Sequence, residues 1–244
     1  MPRFKALIEY DGSAYCGFQR QPKEFPTIQG ELERAIGSVY HQPVPITGAG
    51  RTDTGVHALG QVISFEMDWR HEAIALQRAL NANLPEDIAV LQLDTVLSSF
   101  HPRYDAKRRA YKYFIYTGPV RRPLQRRSSW YVSKKLDHER MQTAAQTLIG
   151  EHDFATFGQP PQGISTVREL FLADWQQQDE HLVFFVEANA FLYRMVRSLV
   201  GSLKLVGDGT WSVDTFVDAL RAKDRSRSGQ VAPPQGLYLF SVTY

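Results

Sequence analysis

A single cysteine, Cys16, serves a chain of 244 residues. It excludes a disulfide framework and a Cys-based zinc site within one chain, including the cysteine ligands of a zinc nucleobase deaminase. No apolar run reaches the length of a membrane span. Met1-Pro2-Arg3-Phe4 leads straight into a strand pattern with no apolar signal stretch, so the expectation is a cytoplasmic protein. Seven histidines are present, yet no HExxH pairs them, and His138-Glu139-Arg140-Met141-Gln142 lacks the second His. No Gly-x-Ser-x-Gly elbow occurs. Acids are scarce in one region. Between Arg103 and Lys135 eleven Lys and Arg face only Asp105, a local charge of +10 that leaves −8 for the rest of a chain whose net charge is +2.

That basic block points to a polyanion, nucleic acid before an anionic membrane, with a solvated, self-repelling loop as the plain alternative. Tyr104, Tyr111, Tyr113, Phe114, Tyr116, Trp130 and Tyr131 are interleaved with the charges. Phosphate-pairing cations beside stacking rings suit single-stranded or looped RNA, although some of these rings belong to a strand over Ala110–Tyr116. Segments 119–129 and 222–234 read as flexible candidates for closure around RNA.

The densest cluster of permissive and charged residues is Gly48-Ala49-Gly50-Arg51-Thr52-Asp53-Thr54-Gly55-Val56-His57-Ala58-Leu59-Gly60-Gln61. It has neither the third Gly of a dinucleotide fingerprint nor the Gly-Lys-Ser/Thr of a phosphate loop. Apolar strand patterns on both sides give it rigid supports, where binding and catalytic residues tend to sit. Taken alone, Asp53 reads as an N-cap or Asx-turn. The alternative is a carboxylate kept ionised by Arg51 and available as nucleophile or base. Tyr111 reads equally as a half-buried strand tyrosine or a platform for a nucleobase. Arg197 borders an apolar helix stripe (Leu192, Met195, Val196, Leu199, Val200), either snorkelling or bound to a partner.

Hydrophobic periodicity places strands over 4–10, 44–49, 62–65 and 88–93, with a helix from an N-cap at Thr27 to about Tyr40 and another over 71–83. A second series follows: strand 110–116, helix 137–149, strands 167–175 and 181–188, helices 191–206 and 213–222, and strand 237–243. The first series reads β-α-β-β-α-β and the second roughly the same with an extra helix, so the fold class expected is α+β. Two ferredoxin-like, RRM-like halves, residues 1–105 and 106–244, carry largely antiparallel sheets around a shared basic cleft.

With these residues located, the chain resembles the tRNA pseudouridine synthase A family. The resemblance rests on Tyr10-Asp11-Gly12…Tyr15-Cys16-Gly17-Phe18-Gln19-Arg20-Gln21, the Gly50-Arg51-Thr52-Asp53-Thr54-Gly55-Val56-His57 core, and Arg109-Ala110-Tyr111-Lys112-Tyr113. It also rests on Phe191-Leu192-Tyr193-Arg194-Met195-Val196-Arg197 and Gly236-Leu237-Tyr238-Leu239. Phe18 and Arg194 stand where Trp and His are frequent in the family. The resemblance implies an isomerase needing no cofactor and no metal, acting on uridines 38, 39 and 40 of the tRNA anticodon stem-loop, and a homodimer. It assigns Asp53 as the essential catalytic residue, Tyr111 as the tyrosine beside the base and Arg197 as the arginine paired with the aspartate. It sets Arg51, Gln19, Arg20 and His57 among the substrate contacts. The other readings are an RNA-binding protein with two RRM-like modules, which needs no Asp53, and a glycoside hydrolase, which wants a second carboxylate.

Overall fold

The computed structural model describes every residue except Lys23, Pro161 and Gln162. In chain order the strands and helices are β1 (Arg3–Tyr10), α1 (Ile28–Tyr40), β2 (Thr47–Gly48), β3 (His57–Glu66), α2 (Ala73–Asn83), β4 (Ile88–Val96) and β5 (Arg108–Thr117). They continue with β6 (Trp130–Val132), α3 (His138–Gln146), β7 (Gly150–Asp153), β8 (Val167–Gln178), β9 (His181–Ala188), α4 (Met195–Gly207), α5 (Val213–Ala222) and β10 (Leu237–Thr243). The expected α+β class holds. Among the described residues, no helix is long and apolar enough to cross a membrane.

The chain forms two compact units, Met1–Lys107 with Tyr238–Tyr244, and Arg108–Leu237. In the first, β1 pairs antiparallel with both β3 and β4, and β2 pairs antiparallel with β3. Strict alternation along β1 buries Phe4, Ala6, Ile8 and Tyr10, the period-2 pattern of a half-buried strand. Helix α1 starts where Thr27 Oγ1 accepts the Gly30 N–H at 3.2 Å, and it buries Ile28, Leu32, Ala35 and Ile36. Enclosing each of the three larger side chains contributes about 1.5–3 kcal/mol. Helix α2 packs on α1 and β4 through Leu76 and Leu80.

Three expectations need correction, and one strand found where expected has an unexpected neighbour. The strand expected over 44–49 is only the two-residue β2, because Pro43 and Pro45 supply no N–H to a ladder. The helix expected from 137 to 149 stops at Gln146, and Gly150 opens β7, an unforeseen strand. The helix expected from Phe191 begins at Met195: Tyr193 donates its N–H to the Gln159 carbonyl at 2.8 Å, and Arg194 is left-handed at φ 61°. The last strand, β10, runs parallel to β3 (Tyr238 opposite His57, Leu239 opposite Ala58). Its residues from Tyr238 group with the first unit.

The second unit has the strand order β7-β8-β9-β5, antiparallel throughout, with short β6 parallel to β5. Tyr113, Phe154, Phe157, Phe184 and Phe216 are fully buried in it. Phe157 stacks on Phe216 at 5.6 Å, and Trp175 lies 4.9 Å from Phe184. Helix α4 is buried on nearly every side, from Met195 to Gly207, which is how a helix apolar beyond one stripe comes to rest. The segment 222–234, expected to be flexible, is pinned instead. Arg225 donates to the Thr156 carbonyl and Ser198 Oγ at 2.9 and 3.0 Å, and Ala232 is fully buried.

Candidate active site

Asp53 sits between β2 and β3 in a loop held on three sides by its own unit. From beneath, the fully buried Gln61 of β3 donates Nε2–H to the Gly50 carbonyl at 2.9 Å. From β1, Tyr10 Oη and Thr52 Oγ1 share a buried hydrogen bond of 2.8 Å. From the side comes the loop after β1: Phe18 donates its N–H to the Thr52 carbonyl at 3.0 Å, and Gly55 donates to the Tyr15 carbonyl at 3.4 Å. Gly17 makes this junction feasible. Its φ is +95°, and a Cβ there would stand 2.8 Å from the Thr52 carbonyl oxygen, so any side chain would be strained as well as crowded. The Asp53 carbonyl accepts the Val56 N–H at 3.1 Å and closes a turn at Thr54-Gly55. The backbone of Asp53 is thus fixed, and its side chain is half-buried.

Tyr15 is itself anchored. Its hydroxyl donates to Asp87 Oδ1 at 2.5 Å, and burial together with that carboxylate drives the phenol pKa well above its usual range. It therefore stays protonated and donating at all physiological pH. Asp87, just before β4, thereby bears on the loop that carries Asp53.

The other residues expected to touch substrate lie variously. Arg51 is exposed. Gln19 is exposed. Arg20 is engaged with Glu33 of α1 at 2.9 Å. His57 is enclosed, 3% exposed: Nδ1 accepts the Gly12 N–H at 3.1 Å and the ring stacks on Tyr238 at 4.6 Å. Such an imidazole holds the turn at Gly12 in place. Tyr238, half-buried and near Asp11, has its phenol pushed up to about 12 by desolvation and that carboxylate.

In the second unit Tyr111 is half-buried on β5, its ring edge-on to Phe191 at 4.9 Å. Arg197 lies in the first turn of α4. Its Nε donates to the Ala232 carbonyl at 2.7 Å, so the arginine is neither snorkelling nor loose. It also lies within electrostatic reach of Tyr113, whose pKa burial raises well above the phenol range. Among the described residues no three His, Cys, Asp or Glu gather as a metal would require.

Gln61, Tyr10, Thr52 and Asp87 escaped the sequence reading as parts of the site. Gln61 carried a usable signal, a lone carboxamide in a run that is otherwise strand core. Gln61→Leu is expected to lower stability by about 1–3 kcal/mol, because the Gly50 carbonyl loses its buried donor. Urea denaturation reads this, and unchanged stability would mean that the loop is held without Gln61.

The sequence profile of a family described as tRNA pseudouridine synthase matches residues 6–105 and 144–244. A protein named tRNA pseudouridine synthase A from Agrobacterium fabrum is 44% identical over all of this chain and 93% of its own length. Its namesake from Methylocella silvestris is 46% identical over all of this chain and 99% of its own. Among solved structures, the archaeal box H/ACA sRNP Nop10–Cbf5 complex aligns with 96% of this chain and 59% of that chain, at 11% identity and a TM-score of 0.39. The profile and the full-length relatives agree: this chain belongs to the tRNA pseudouridine synthase family, isomerases that convert uridine to pseudouridine.

Proposed function

We propose that the chain isomerises uridines 38, 39 and 40 in the anticodon stem-loop of tRNA, with Asp53 as the essential carboxylate. The observation that carries this reading is the immobilised Asp53 loop, fixed through Gly50, Thr52 and Gly55 by three separate elements of the first unit. A reaction that must hold one carboxylate against a sugar carbon calls for such a mount.

The chemistry breaks N1–C1′, turns the uracil, and joins C5 to C1′; the hydrogen on C5 leaves as a proton and the freed N1 takes one up. Electrons balance within the nucleotide, with no redox change and no water consumed. Asp53 would either attack C1′, as glycosidase carboxylates do, or remove the C2′ proton to give a glycal. The uridine must first leave its stack, at a cost of a few kcal/mol that ring stacking on Tyr111 and phosphate contacts with the basic segment would offset. Arg197, held by its Nε, would stabilise the charge that develops as the glycosidic bond opens. Arg51, Gln19 and Arg20, all on the surface, are the natural contacts for the RNA around the target. The same reading makes the working form a cytoplasmic homodimer whose two halves follow the ferredoxin-like plan.

Unmodified tRNA transcripts incubated with the protein test the assignment of position, with pseudouridine mapped by its stable carbodiimide adduct. Adducts at 38, 39 or 40 are expected. Adducts confined to another arm of the tRNA would overturn the anticodon assignment.

A further inference from the structure

Helix α4 carries an unusual covering. After α5 and the Arg225–Arg227 turn, the chain lies down along the helix between Gly229 and Gly236. Gly229 donates its N–H to Ser202 Oγ at 2.9 Å. Ala232 then makes two bonds to one residue: its N–H reaches the Arg197 carbonyl at 3.0 Å, and its carbonyl accepts Arg197 Nε–H at 2.7 Å. One residue later, the Pro233 carbonyl accepts the Tyr113 hydroxyl at 2.7 Å. The close approach depends on Gly201. A Cβ there would stand 1.6 Å from the Gln230 carbonyl oxygen, a distance no side chain survives without moving the segment away from the helix.

We propose that Gly229–Gly236 is a strap that sets the orientation of the Arg197 guanidinium, and that Gly201 and Tyr113 are positioning residues for the isomerisation. A backbone bond and a side-chain bond from the same arginine to the same strap residue close a ring. The ring fixes the direction in which the guanidinium plane leaves Nε. Tyr113 holds the adjoining carbonyl from the sheet side, so the strap is tied to both α4 and β5. The strap therefore keeps the guanidinium aimed before RNA arrives, and this rests on the catalytic reading of Arg197 given above.

The test compares Gly201→Ala, Tyr113→Phe and Gly207→Ala by tritium release from [5-³H]uridine-labelled tRNA, with kcat and KM separated and Tm measured on each variant. Gly207 lies on the same helix, where an added Cβ would crowd Met141 and not the strap. Gly201→Ala is expected to lower kcat by about 10²-fold with KM within about threefold, the cost of a guanidinium misplaced by an ångström. Tyr113→Phe should lower kcat by roughly threefold to tenfold, the worth of one hydrogen bond. Gly207→Ala should lower Tm while leaving kcat within about twofold. In an Arg197→Lys background, which has no Nε to clamp, Gly201→Ala should add its Tm loss but no further kcat loss.

A folded Gly201→Ala with kcat near wild type would overturn the proposal, as would Gly207→Ala matching its kcat loss at equal Tm loss. Where Gly201→Ala fails to fold, wild-type kcat in Tyr113→Phe does the same. Arg197→Ala with undiminished kcat would instead refute the catalytic reading of Arg197 on which the strap depends.

Discussion

Asp53→Asn is expected to cut tritium release from [5-³H]uridine-labelled tRNA by roughly 10³-fold or more, in the range seen when a nucleophile is removed, while tRNA binding stays within about threefold. The substitution is nearly isosteric, and the loop's bonds to Gly50, Thr52 and Gly55 do not use the carboxylate. The loop's anchors run through Gly50, Thr52, Gly55 and the Asp53 carbonyl, all of them backbone or neighbouring side-chain groups. An amide at position 53 leaves each intact. What it removes is the charge and the basic oxygen, which both candidate routes require: an amide neither attacks C1′ nor takes a proton from C2′ at neutral pH. The measurement needs release and binding from the same preparation, because a protein that only binds RNA would release no tritium even as wild type and would keep its binding in the variant. Full release by Asp53→Asn would move the chemistry to another group. Free uracil among the wild-type products would mark a hydrolase instead, since an isomerase keeps the base on its sugar.

The Asp53 loop was readable because its requirements are local. Glycines at close approaches, small hydroxyl residues and a single acid between two strand patterns announce a loop that must adopt one shape. Period-2 and period-3.6 patterns located α1, β9, α5 and β10 closely, since each buries one regular face. Local prolines cut β2 short, but in other places a partner distant in sequence decided the outcome. Leu192–Arg194 continue a good helical stripe, but the Gln159 carbonyl takes the Tyr193 N–H and delays the helix to Met195. The charged, serine-containing stretch before Pro233-Pro234 looks like a solvated tether, yet its polar groups find Thr156, Ser198 and Ser202. β10 reads as a strand in isolation, but nothing local says that its partner is β3.

Arg197→Lys is expected to be nearly as damaging as Arg197→Ala, each lowering kcat by about 10²–10³-fold with a smaller change in KM, the scale on which a preorganised electrostatic donor acts. Charge conservation would save the lysine variant if the arginine served only as a distant cation. Its geometry argues otherwise. The bond from Nε to the Ala232 carbonyl uses a donor that lysine lacks, and an ammonium on a flexible stem has no plane to orient. Lysine would also leave the buried Ala232 carbonyl short of a donor, at a cost of about 1–3 kcal/mol, so the variant should be destabilised as well as slow. Thermal denaturation beside the kinetics separates the two effects. A lysine variant that recovered most of the wild-type kcat would show that position 197 supplies charge alone, and the directional role given to its guanidinium would have to be abandoned.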